Sequence, residues 1–245
     1  MKNYFLGFVL IFVGSTAWPM DLPTNMTISD LREVIRIVTT NTSTKILSNP
    51  YPLGGYPGFE VGVSLETVDA SDLASLGAGT TSTDLEIQFP KISVGKGLYK
   101  NVDIFFHFAP LSGGLDVNEF GSLLRWSFYE TQRIPMNISF VTHGNHMNYG
   151  DKILGTTLGI EMLLAVNVNK LAVYFGGGHL QTTGQASVSL MEPAISANER
   201  QLVETTLQQM HTFVGLTFHQ DNLFVAAQLD RYPDPVFSAK LGLRL

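Results

Sequence analysis

Histidines and a sparse set of charges are the side chains here with chemistry to offer. His107, His143, His179 and His211 fall near the ends of segments that border long connections, with His146 in an adjoining loop. By parity His107, His143 and His211 point to one common face. A ring of imidazoles there could bind a transition metal or work as acid and base. The only local pair, His143 and His146, has a short spacing that carries little metal signature, so no metal ligand and no catalytic residue is assigned. Glu60, Glu66, Asp103, Arg125, Glu161, Asp230 and Lys240 join the three histidines as candidates to line a lumen or bind a ligand. The run "YFGGGHLQTTG" supplies three glycines but no helix after them. A phosphate cradle needs that helix N-terminus, and glycine on a strand more often relieves crowding.

The elements that must hold these side chains have period two. Phe59, Val61, Val63 and Leu65 alternate with Glu60, Gly62, Ser64 and Glu66. The longest segment puts Leu154, Thr156, Leu158, Ile160, Met162, Leu164 and Val166 on one face. Further segments bring the expectation to ten strands, with eight to twelve as the range, over residues 58–245. One lies at 84–96, where the apolar phase shifts near Phe89-Pro90 and suggests a bulge. Connections near 97–100, 131–135, 167–170 and 220–222 read as tight. Those near 69–83, 110–119, 144–152 and 181–210 read as long. An antiparallel meander with two unlike ends follows.

Two stretches have helical spacing. In "TISDLREVIRIV", Ile28, Leu31, Ile35 and Val38 form a stripe, with Ser29 and Asp30 available as caps. The loose stretch "TTNTSTKILSNPYPLGGYPG" then reads as a linker, so residues 18–57 are expected to be a periplasmic helical segment and its linker, the helix serving as a periplasmic tether or a partial plug. Inside the connection 181–210, Ser196 and Glu199 make a capping-box pattern, and Leu202, Val203, Leu207 and Met210 a partial stripe over a short helix. Residues 1–17 have Lys2, an apolar run and small residues before Ala17, the pattern of a cleavable signal peptide.

Charge and phase then choose the solvent. A net charge of −6 leaves no basic field for nucleic acid, and the absence of cysteine leaves no disulfide framework. Alternate faces are apolar over the length that a tilted strand needs to cross a bilayer. The opposite faces hold Gly, Ser, Thr and Ala with scattered charges. All seven strand charges avoid the apolar face, where a midplane Lys or Arg would cost about 2–4 kcal/mol. Tyr99 and Tyr129 at the short-turn end, and Tyr149, Tyr232 and Phe237 at the long-loop end, suit two membrane interfaces.

The exported N-terminus, the strand-and-turn pattern and the terminal "FSAKLGLRL" resemble a Gram-negative outer-membrane β-barrel protein. The resemblance implies an all-β fold, a transmembrane antiparallel up-and-down barrel. It also implies outer-membrane lipid as surroundings and the barrel assembly machinery as a partner. Phe237, Leu241, Leu243 and Leu245 would then form the insertion signal that this machinery reads. Lys240 on the last strand and Glu60 or Glu66 on the first become neighbours where the barrel closes. The function expected is structural or binding, with no cofactor, and passage of a small or apolar ligand or lipid through a narrow lumen as a variant. The alternative is a surface hydrolase acting through rim histidines, similar to the omptin proteases or lipid A deacylases, with Asp230 and His211 as a possible couple.

Overall fold

The computed structural model describes residues 22–79, 86–109, 117–131, 135–191, 193 and 203–245. The expected signal peptide, residues 1–17, lies outside them. Ten antiparallel strands form one closed barrel: β1 (Phe59–Asp69), β2 (Glu86–Tyr99), β3 (Val102–Phe108), β4 (Val117–Thr131), β5 (Met136–Tyr149), β6 (Ile153–Val168), β7 (Leu171–Ala186), β8 (Val203–Gln220), β9 (Leu223–Arg231) and β10 (Pro235–Arg244). Each strand pairs with its sequence neighbours, and β10 closes on β1. At the seam Glu60 faces Arg244, Ser64 faces Lys240 and Val68 faces Val236. The terminal residue is held from both sides: Phe59 N donates to the Leu245 carbonyl at 2.9 Å, and Leu245 N to the Phe59 carbonyl at 2.8 Å.

The two faces of the wall differ as the alternation requires. Phe106, Phe120, Trp126, Leu158, Ile160, Phe175, Val214 and Phe237 are exposed on the outside, while Glu60, Asp103, Arg125, Glu161 and Asp230 are buried inside. An outer belt of that size exceeds the apolar patches that water-soluble monomers expose. A charged interior behind it belongs to a barrel solvated by lipid. The chain is a transmembrane β-barrel.

The inner phase differs locally from the sequence reading. Register between β1 and β2 is unbroken through Leu65↔Pro90 and Glu66↔Phe89, so no bulge lies there. Ile87 and Phe89 point inward because they pack on a helix within the barrel mouth. β2 is irregular instead at Gly97/Tyr99, where it pairs with β3. A second irregularity occurs at Ser127/Tyr129. It inserts one residue and leaves Phe128 and Tyr129 both exposed outside. Residues 144–149 are strand, not loop: β5 and β6 meet in a tight turn in which Gly150 and Asp151 have positive φ. Lys152 N donates to the Tyr149 carbonyl at 3.0 Å across it. Residues 203–210, expected at the end of a helix, are the first half of β8 and pair with β7; Ser196, Glu199 and Leu202 lie outside the described residues.

The N-terminal stretch is the main addition. Helix α1 (Ile28–Ile35) is capped by Thr27, not Ser29: Asp30 N donates to Thr27 Oγ1 at 3.2 Å, and Thr27 N to Asp30 Oδ2 at 3.0 Å. Leu31, Val34 and Ile35 are buried against Val68, Ile87, Phe89, Val117, Ile153 and Ala186, all at the long-loop ends of their strands. Burial of each such side chain contributes about 1.5–3 kcal/mol. The helix widens over Arg36–Thr40 and ends where Thr39 and Thr42 donate back to the carbonyls of Ile35 and Val38. From there residues 37–50 run buried through the lumen to β1 at the other end. The stretch read as a linker thus runs buried inside the barrel. Its Thr, Ser and Asn side chains meet the lumen wall in place of water.

Candidate functional site in the barrel lumen

All ten lumen candidates point inward and are buried: Glu60, Glu66, Asp103, His107, Arg125, His143, Glu161, His211, Asp230 and Lys240. The structure sorts them into groups around the N-terminal segment, which supplies mostly backbone.

Near the short-turn end, Arg125 (β4) meets Asp103 (β3) at 2.8 Å. Its remaining guanidinium donors go to the carbonyls of Asn49 at 2.8 Å and Tyr51 at 2.9 Å. Asp103 Oδ1 in turn accepts from Leu53 N at 3.0 Å. One buried ion pair thus holds both a carbonyl edge and an N–H of the segment. Across the seam Lys240 donates to Glu60 at 2.8 Å, and Ser48 Oγ donates to the second Glu60 oxygen at 2.6 Å. The seam partner of Lys240 is Glu60.

Glu66 has other partners. Lys91 (β2) lies 3.0 Å from Glu66 and 2.6 Å from Glu119 (β4), and it donates to the Thr42 carbonyl at 2.9 Å. Lys45, from the segment itself, sits 3.6 Å from Glu66 and donates to the carbonyls of Asn41 and Ser43. His107 lies 3.5 Å from Glu119. Lys91, Glu119 and Lys45 are not among the residues that the sequence singles out. Lys91 neighbours the apolar phase shift at Phe89-Pro90, Glu119 falls in the connection 110–119 and Lys45 in a linker-like stretch, so their sequence context hides them.

On the opposite wall His211 (β8) lies between two carboxylates. Its Nδ1 contacts Glu161 (β6), and its Nε2 lies 2.8 Å from Asp230 (β9). His143 Nε2 approaches Glu161 at 3.3 Å. Gln228 Nε2 donates to Asp230 at 2.6 Å, and the Tyr174 hydroxyl donates toward Gln228 at 2.9 Å. Tyr232 stacks flat on His211, with centroids 4.3 Å apart, and its hydroxyl bonds Ser43 of the segment at 2.8 Å. Glu60, Glu66, Asp103 and Glu119 each have a Lys or Arg partner; among the described residues, Glu161 and Asp230 meet imidazoles instead. Carboxylates joined through an imidazole can hold and exchange protons. Among the described residues, no three such side chains converge on a common point with metal-binding geometry.

Glycines make this crowding possible. Gly178 on β7 pairs with Glu161 on one side and His211 on the other. With no side chain between them, those two reach each other across the intervening strand. A Cβ on Gly159 would lie 2.2 Å from His143 Nε2. Gly178 of the "GGG" run and Gly159 thus give the imidazole cluster room.

Two placements differ from expectation. The histidines of the expected rim ring, His107, His143 and His211, are buried along the lumen wall beneath the N-terminal segment, while His146 and His179 are exposed on β5 and β7. Tyr149 and Tyr232, expected at a membrane interface, are buried inside, whereas Tyr99, Tyr129 and Phe237 are exposed outside. At the mouth Arg36 pairs with Glu33 and with Asp234 in the β9–β10 turn. The Glu33 hydrogen bond raises the Arg36 pKa, burial opposes it and Asp234 adds to the rise. One cavity among the described residues, of about 40 Å³, is bordered by Thr44, Ser48, Ser64, Lys91 and His107, room for a few waters.

No family model matches the sequence, and no curated protein matches it. Among solved structures, the N-terminal β-barrel domain of Pseudomonas aeruginosa OprF is 12% identical with a TM-score of 0.33, covering 78% of this chain and 97% of its own. Ail, the attachment invasion locus protein of Yersinia pestis, is 11% identical with a TM-score of 0.32, covering 77% and 97%. The translocator domain of autotransporter NalP from Neisseria meningitidis is 9% identical with a TM-score of 0.37, covering 88% and 94%.

Proposed function

We propose that this protein is an integral outer-membrane β-barrel with a structural or binding role, and that its lumen is kept closed by its own N-terminal segment. The observation that carries this reading is the buried path of residues 37–50, stitched to the wall by Arg125, Lys91, Glu60 and Tyr232. The outer apolar belt supports a membrane location. Short turns at one end and longer connections at the other support an orientation with the short turns in the periplasm. Binding would then take place at the long-loop face. Passage of a small or apolar ligand would require the segment to move, since residues 37–50 lie buried along the lumen. A hydrolase working through His107, His143 or His211 would need substrate to reach residues that lie under the same segment.

Planar-bilayer recording of the purified protein tests the closed lumen. The expected result is no steady conductance. A stable ohmic channel from the unmodified chain would contradict it.

A further inference from the structure

The path of the N-terminal segment has a consequence for which side of the membrane its start occupies. Residue Phe59, where β1 begins, is bonded to Leu245 at the short-turn end. The other end of the segment lies at the opposite mouth. There Ala78 N donates to the Thr24 carbonyl at 2.8 Å, and Met26 N donates to the Leu190 carbonyl at 2.9 Å. Ala78 belongs to the β1–β2 connection and Leu190 to the β7–β8 connection. The stretch 24–57 therefore traverses the barrel from the long-loop mouth to the short-turn mouth.

We propose that residues 24–35 stand on the outer face of the membrane and form part of the external surface together with the long connections. They reach it through the barrel's own lumen. The proposal rests on the orientation given above, with short turns in the periplasm. An exported chain delivers its N-terminal region to the periplasmic side, so the segment must pass outward while the barrel closes around it. Its downstream end stays tied to β1, so the lumen can be emptied only by withdrawing the helix back toward the short-turn end.

The chain has no cysteine, which gives single-cysteine labelling a clean background. Intact cells would be treated with a membrane-impermeant maleimide, before and after the outer membrane is permeabilised. Lys152→Cys and Lys170→Cys mark the two ends of β6, both exposed and outside the strand. Ser29→Cys and Thr24→Cys report the segment; both positions are exposed, and either serves if the other perturbs folding. The expected result is labelling of the position 152 and segment variants in intact cells, with the position 170 variant labelled only after permeabilisation. If the 152 variant labels in intact cells but both segment variants wait for permeabilisation, this inference is overturned and the orientation stands. If the 170 variant labels first and the 152 variant does not, the orientation fails and the inference with it.

Discussion

Glu161 on β6 and His211 on β8 touch across an intervening strand because the residue between them on β7 is Gly178. The carboxylate–imidazole–carboxylate run on that wall depends on this vacancy. A Cβ built on Gly178 would meet the Ile160 carbonyl oxygen at 1.9 Å and Glu161 Cα at 2.7 Å, both backbone atoms. Gly178→Ala must therefore move the β6–β7 ladder. The expected cost is about 1–3 kcal/mol, read as a lower temperature for the shift between folded and unfolded bands on a gel. An unchanged transition would show that the contact across β7 is not needed.

The Lys240–Glu60 pair closes the seam in a buried setting. Removing one partner of such a pair strands a charge and costs about 3–5 kcal/mol, whereas replacing both can be neutral. Lys240→Met should strongly destabilise the barrel, and Lys240→Met with Glu60→Gln should recover much of the loss. Denaturant unfolding of the two single variants and the double variant measures this. Additive losses would contradict it.

Arg125 binds Asp103 and two carbonyls of the segment at once. That fan of donors belongs to a guanidinium, and an ammonium cannot reproduce it. Arg125→Lys should leave the barrel folded but loosen residues 49–53, with a loss of about 1–3 kcal/mol. Limited proteolysis should then cut near the segment's downstream end in the variant and not in the parent. Equal resistance would place the hold elsewhere.

The strands were readable in advance because a charge is costly on the lipid face, so the charges report the phase. Glu60, Asp103, Arg125, Glu161 and Lys240 all lie inside, where their parity placed them. A plug is one reading of the N-terminal helix, but the buried path of the stretch after it is not readable. "TTNTSTKILSN" has the composition of a solvated linker, because lumen carbonyls, hydroxyls and ammonium groups satisfy polar side chains as water does. Thr40, for example, bonds Thr182, which bonds Thr157. Ile87 and Phe89 suggested a bulge for a related reason: an apolar inward face makes sense only once a helix is known to lie behind it. The imidazole cluster joins residues 50 positions apart in sequence at Glu161 and His211, and only the register across Gly178 brings them together.

The last strand carries a further test. Leu241, Leu243 and Leu245 share the alternation of the exposed Phe237, Leu241 being buried and Leu245 exposed, and Leu245 is bonded to Phe59 on both backbone sides. Changing all three to Ser removes about 1.5–3 kcal/mol of apolar burial per residue and weakens the seam. Membrane extracts should then lose the heat-modifiable band. Its retention would show that the terminal apolar residues are dispensable for insertion.

The central claim is that the N-terminal segment occupies the lumen, and Thr40 and Thr182 test it most directly. Their hydroxyl oxygens lie 3.0 Å apart, one on the segment and the other on the inner face of β7. In a chain without cysteine, Thr40→Cys with Thr182→Cys should form a disulfide under mild oxidation of the folded protein in membranes. A thiol-sensitive shift in gel migration would report it, with both single variants silent. A folded, heat-modifiable double variant whose two thiols stay free under the same oxidant would contradict the account.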